Sequence, residues 1–172
     1  MNTLPASVTK ILIGDGKGAG KNREEAKNFL QNSIMEFVGD PEIKSILSSL
    51  DLVFIVSSTG GGTGSGIAIL LTNVINAVSQ TYEKPVFPIS VGILPTIDEA
   101  LSTQANTLSY LTELYEISES PTYMLYDNDK YAKLPTVQTL TKVNESVVED
   151  INILRCHYNN PTTYNSIDER DA

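Results

Sequence analysis

Five of the seven residues in Gly60-Gly61-Gly62-Thr63-Gly64-Ser65-Gly66 lack a Cβ, and every glycine raises the entropic cost of ordering a loop. A run of this kind does something that side chains would obstruct. Successive backbone N–H groups, followed by the partial positive charge of a helix N-terminus, form a cradle for an anion, to which the Thr63 and Ser65 hydroxyls would add donors. The chemistry is recognition of a phosphate chain. A tight turn or close helix packing is the structural alternative, and it accounts for one or two glycines rather than five.

A second run, Gly14-Asp15-Gly16-Lys17-Gly18-Ala19-Gly20, places four glycines in seven positions. Neither run is a P-loop. The first contains no Lys, and in the second Asp15 stands five residues before Gly20, where that motif requires Gly, with Asn22 in place of Ser or Thr. A dinucleotide fingerprint also fails, because Ala19 follows Gly14-Asp15-Gly16 where the third Gly belongs.

The elements that must position these runs alternate. Val8 to Ile13 is β-branched and apolar, which predicts a strand ending at the first glycine run. Asn22 fits a helix N-cap with Glu25 reaching back three residues later, and Ala26, Phe29, Leu30, Ile34 and Phe37 follow as the apolar face. Leu52 to Val56 is a continuous apolar strand leading into Gly60. Ile67, Leu70, Leu71, Val74, Ile75 and Val78 then repeat at helical spacing. Pro85 to Leu94 reads as the next strand, Leu101, Ala105, Leu108 and Tyr115 mark a helix, Thr122 to Tyr126 a strand, and Leu140, Val147, Ile151 and Leu154 a last helix. Alternation with crossovers of this length predicts an α/β fold, a three-layer, Rossmann-like parallel sheet with ligands at the carboxyl ends of its strands. Both glycine runs follow strands, so they should meet at one edge.

The net charge of −9 over 172 residues opposes direct binding of nucleic acid, which needs clustered Lys and Arg. No apolar run is long enough to span a bilayer and the first residues lack a signal core, so a cytoplasmic protein without a membrane partner is expected. A single cysteine, Cys156, beside the single histidine, His157, supplies no zinc ligand set. A metal would have to arrive with a substrate. Residues 113–172 carry eleven acids and five bases, which reads as a solvated face or a working carboxylate pair.

The run Gly60 to Gly66 resembles the signature loop of the tubulin/FtsZ superfamily of GTP-binding, filament-forming proteins. Gly18-Ala19-Gly20-Lys21-Asn22 is similar to the loop of that superfamily whose backbone faces the γ-phosphate. Lys17 to Gly20 with Asn22-Arg23 looks most like the PhuZ branch found in large bacteriophages. The resemblance implies GTP as ligand, with Mg²⁺ carried on its phosphates. It also implies head-to-tail self-assembly, hydrolysis completed at the subunit interface, and a filament that positions phage DNA in the host cytoplasm. A plasmid-segregating or FtsZ-like division filament is the alternative, as is a truncated module that binds without hydrolysing.

Carried over residue by residue, Glu99 resembles the acidic ribose contact, with Thr103 where bacterial members often have Arg. Asn128 in Tyr126-Asp127-Asn128-Asp129 resembles an Asn that reads guanine, and Asn144 one on the central helix that also meets the base. Asn144 can be argued separately: Leu140, Asn144, Val147, Ile151 and Leu154 set one carboxamide inside an apolar helical face. A buried amide needs partners, either a guanine edge or a neighbouring carbonyl. Asp168 and Asp171 resemble the acidic loop that enters the next subunit's GTP site and orients the attacking water; the alternative is an acidic chain terminus. Residues 1–172 correspond to the central and C-terminal part of the nucleotide-binding domain. The family's first strand and first glycine loop, and its second domain, are not matched. A truncated reading frame or fragment of this kind should bind GTP weakly.

Overall fold

The computed structural model describes residues 8, 12, 16–81, 85–117 and 122–159, with side chains through Cys156. The strand expected over residues 8–13 therefore lies largely outside the described residues, as do Asp168 and Asp171.

Helix α1 (Arg23–Gly39) starts where its cap predicts, with the Asn22 side chain accepting the Glu25 N–H at 3.2 Å. The reciprocal half of that capping box is absent because the Asn22 N–H already donates to the Ala19 carbonyl at 2.6 Å. Helix α2 (Pro41–Ser48) was not anticipated. Asp40 caps it by accepting from the Glu42 and Ile43 N–H groups, with Pro41 in the first turn, where its missing N–H costs nothing.

Strand β1 (Leu52–Ser58) leads into helix α3 (Thr63–Ser79), strand β2 (Phe87–Leu94) into helix α4 (Leu101–Glu116), and strand β3 (Thr122–Asp127) into a 3₁₀ turn (Asn128–Tyr131) and helix α5 (Thr136–Asn159). The three strands are parallel in the order β1-β2-β3, as the alternation predicts. Their register sets Ser58 beside Ile93 and Leu94 beside Asp127. The loops carrying Gly60, Glu99 and Asn128 therefore leave one edge at the same height.

The core lies in two layers. Leu47, Ile55, Ala68, Ile69, Ile75, Tyr110 and Leu114 fill the side beneath α3 and α4, and Ile89, Val91 and Val147 the side beneath α5. Helical periodicity located α3 and α4 correctly but misplaced their inner faces. On α3 the most deeply buried line is Ser65, Ala68, Ile69, Thr72, Ile75 and Ser79, and the expected stripe lies mostly beside it. Small residues dominate this line because α3 packs on the sheet and on two helices at once; Thr72 and Ser79 satisfy their hydroxyls on Ser90 and the Val86 carbonyl. On α4, Thr103, Thr107, Tyr110 and Leu114 turn inward, whereas Leu101 and Tyr115 are 88% and 92% exposed.

Candidate functional site

The two glycine runs meet. A Cβ on Gly62 would lie 2.7 Å from the Lys21 backbone and the Asn22 nitrogen, and one on Gly66 2.6 Å from the Arg23 carbonyl oxygen. Gly60 is similarly pressed against Thr103, and Gly64 against the Ser58 carbonyl at 3.2 Å. Within the run from Gly60 to Gly66, Gly61 is the one whose added Cβ would face open space. Close packing thus accounts for more of this run than the one or two glycines allowed from sequence. It is also what brings the N-termini of α1 and α3 side by side, where their dipoles add.

The N-terminus of α3 has no side-chain cap among the described residues, since its N-cap is Gly62. Its first intrahelical bond runs from the Gly66 N–H to the Gly62 carbonyl at 3.0 Å. By helix geometry the amides before Gly66 have no partner within the helix. These are the groups an anion would satisfy.

Of the two hydroxyls expected to join them, Ser65 is turned to structural work, while the Thr63 hydroxyl accepts one bond and keeps its own hydrogen to donate. Thr63 Oγ1 accepts from the Ala19 N–H at 3.3 Å. Ser65 is fully buried, donates to the Gly61 carbonyl and accepts from Arg23 Nε at 3.2 Å. Behind the loop, Arg23 also donates to the Ser65 carbonyl at 3.1 Å and forks onto Glu113 at 2.8 and 3.0 Å. Lys27 joins Glu113 at 2.7 Å. Burial alone would raise the Glu113 carboxyl, but hydrogen bonds from Arg23 and Lys27 outweigh it and hold it below its ordinary value.

The loop from Gly18 to Asn22 lies against the first. Gly18, Gly20 and Lys21 have left-handed φ of +78°, +51° and +65°, a conformation that carries strain at Lys21. Lys21 Nζ donates to Thr103 Oγ1 at 3.0 Å, so the residue standing in place of Arg is a buried acceptor that holds the lysine over the loop.

Glu99 is exposed and accepts the Thr96 N–H at 3.2 Å, closing the turn after β2. That turn is tied to the 3₁₀ segment by the Ile97 N–H, which donates to Asp129 at 2.9 Å. Asn128 is 8% exposed, and its Oδ1 is buried without a hydrogen-bond partner among the described residues. An orphaned buried acceptor is costly, and it marks a place for a donor from elsewhere. Asn144 differs from expectation: it is exposed, together with Leu140, while Thr139, Val143 and Val147 turn inward. The helix is rotated from the face that spacing suggested because β3 and the 3₁₀ turn contact it along the neighbouring line. Asn144 instead lines an open groove of about 780 Å³ on α5.

Sequence reasoning missed Asn106. Its Nδ2 lies 3.0 Å from the Lys21 carbonyl, 3.2 Å from that of Gly60 and 3.3 Å from that of Gly61. An Asn within a helix carries no periodic signal, and only the fold places it between the two loops.

A parallel α/β sheet with paired glycine loops and two helix N-termini at its carboxyl edge is the arrangement found in nucleotide-binding α/β folds. Residues 2–135 match the Tubulin/FtsZ family, GTPase domain, and the chain belongs to that family. Tubulin-like protein CetZ1 of Haloferax volcanii is 31% identical over 153 residues, spanning 84% of this chain and 36% of CetZ1. Cell division protein FtsZ of Aquifex aeolicus is 32% identical over 136 residues, 77% of this chain and 33% of FtsZ. Among solved structures, a GTPγS-bound protofilament of Haloferax volcanii CetZ2 superposes with a TM-score of 0.71 at 24% identity, covering 92% of this chain and 47% of that one. A protofilament of TubZ from bacteriophage PhiKZ gives 0.66 at 23% identity, covering 98% and 50%. The chain therefore spans between about a third and a half of the length of these relatives.

Proposed function

We propose that this chain is the nucleotide-binding portion of a tubulin-like GTPase that assembles head to tail. The observation that carries this reading is the junction of the two glycine loops at the uncapped start of α3. Backbone amides between Gly60 and Ser65 hold the phosphate chain, and Gly18, Ala19, Gly20, Lys21 and Asn22 close over its far end. Asn128 supplies base selectivity: its unpaired Oδ1 accepts from the N1–H and N2–H₂ of guanine, whereas the matching edge of adenine offers an acceptor at N1. Glu99 stands at the ribose, and the exposed Asn144 reaches the base only if the nucleotide lies across the start of α5.

Mg²⁺ finds no cluster of three or more acidic, His or Cys ligands among the described residues. The ion would be held by phosphate oxygens and water, as is usual for Mg²⁺ on nucleotides. Asp168 and Asp171, outside the described residues, are assigned the water-orienting role in the neighbouring subunit's site. This makes the interface heterologous, and turnover dependent on assembly.

A filament that positions phage DNA is supported by the Lys17 to Arg23 pattern. A cellular role is supported by the identities to CetZ1 and FtsZ. In either case thermal unfolding is the test. GTPγS at about a hundred times its dissociation constant stabilises by about 2.7 kcal/mol, raising the midpoint by several degrees while ATPγS does not. Equal effects of the two, or none, contradict guanine recognition. Asp168→Ala with Asp171→Ala should abolish turnover and leave nucleotide binding unchanged.

A further inference from the structure

The side chain of Asn106 touches both glycine loops with a single amide group, and the functional reading above does not use it. Its two N–H bonds face three carbonyls, those of Lys21, Gly60 and Gly61, at 3.0 to 3.3 Å. At least one hydrogen is therefore shared. Lys21 belongs to the loop beside α1, and Gly60 and Gly61 to the loop before α3, so neither loop can shift without disturbing the other's acceptor.

Peptide geometry gives this contact a direction. Across a trans peptide the carbonyl of one residue and the N–H of the next point oppositely, and the described chain contains no cis peptide bond. Drawing the Gly60 and Gly61 carbonyls toward α4 turns the Gly61 and Gly62 N–H groups away from it. Ser65 Oγ pulls the Gly61 carbonyl as well, and is itself held by Arg23. On the other loop, the Asn22 N–H is consumed by the Ala19 carbonyl at 2.6 Å, so that turn moves as a closed unit.

We infer that Asn106 is a positioning residue that locks the two glycine loops into one anion cradle and thereby couples the occupancy of one to the order of the other. This rests on the nucleotide-binding reading. Its consequence is discrimination by phosphate number. A triphosphate long enough to engage both loops profits from their being held together, whereas a diphosphate engaging one loop profits less.

Two measurements on the 172-residue chain test this. Without ligand, amide hydrogen exchange in Asn106→Ala should accelerate together at the hydrogen-bonded amides of Ala19 and Asn22 in one loop and of Gly66 at the end of the other, with α2 unchanged. Acceleration confined to one loop, or absent from both, overturns the coupling. With ligand, Asn106→Ala should weaken GTPγS by about tenfold, the order expected for losing one or two hydrogen bonds, and GDP by clearly less. An unchanged ratio of GTPγS to GDP affinity, as a merely structural role would produce, overturns the inference. Should the Ala variant not fold, Asn106→Ser is read in the same two assays. If the unsubstituted chain binds neither nucleotide, the GTP reading fails, and the exchange result still decides whether the lock exists.

Discussion

In the run ending at Gly20, Gly18 and Gly20 adopt left-handed φ, and the space where their Cβ atoms would stand is empty. In the run from Gly60 to Gly66 no residue has a positive φ, and a Cβ on Gly62 or Gly66 would stand within 2.7 Å of the backbone between Lys21 and the start of α1. Composition makes the two runs look alike, but glycine is needed in the first for conformation and in the second for room. The first therefore uses glycine to set the path of the chain, while the second is the packed floor against which it lies. That division suits a site whose inner part holds the constant portion of a phosphate chain and whose outer part senses its end.

Substitutions separate the two roles, and the largest effect belongs to the packed floor. Gly62→Ala forces backbone against backbone and should destabilise by about 3 kcal/mol or more, the upper range for overpacking, read as a fall in the denaturant midpoint. Arg23→Met comes next. It leaves Glu113 with Lys27 alone and removes the brace on Ser65, for about 2–3 kcal/mol, less than a fully buried broken pair because Glu113 is 27% exposed. The same pair predicts a pH dependence. Because Glu113 titrates below its ordinary 4.5 in the folded chain, its contribution is fully present above that value and is lost as pH falls through the lower, folded one. Glu113→Gln should flatten the acid limb of the stability profile, and an unaltered limb contradicts the assignment.

Smaller effects belong to the positions with open space around them. Gly20→Ala should cost about 1 kcal/mol, the local strain of a left-handed L-residue, with no contact to any other segment. Gly61→Ala, facing open space at negative φ, should stay within about 0.5 kcal/mol of the parent. If Gly61→Ala proved as damaging as Gly62→Ala, the distinction between room and conformation would not hold.

Much of this arrangement was legible in sequence because the signals were local. The Asn22 cap, the apolar run of β1 and the break at Gly60 each depend on a few adjacent residues. What failed depended on neighbours distant in sequence. The apolar spacing of Leu101, Leu108 and Tyr115 identified a helix, but buried threonines took its inner face because Thr59 and Lys21 offered Thr107 and Thr103 hydrogen bonds. Asn144 fell on a plausible stripe, yet α5 docks on β3 along the line through Val143 and Val147. Asn128 was proposed from its motif alone, and only the structure shows its carbonyl oxygen buried and without a partner among the described residues. The Ser65 hydroxyl was read as a ligand donor because sequence does not reveal that its hydrogen goes to the Gly61 carbonyl and that Arg23 holds its oxygen.

Amide chemical shifts of the isotopically labelled chain, followed while GTPγS is added, address the phosphate-cradle account most directly. The account predicts saturable shifts concentrated in Gly61, Gly62, Thr63 and Gly64, accompanied by Gly18 to Lys21, with Gly39 at the end of α1 unmoved. Saturable shifts confined to other surfaces, such as the α5 groove, with the two glycine loops silent, would contradict it.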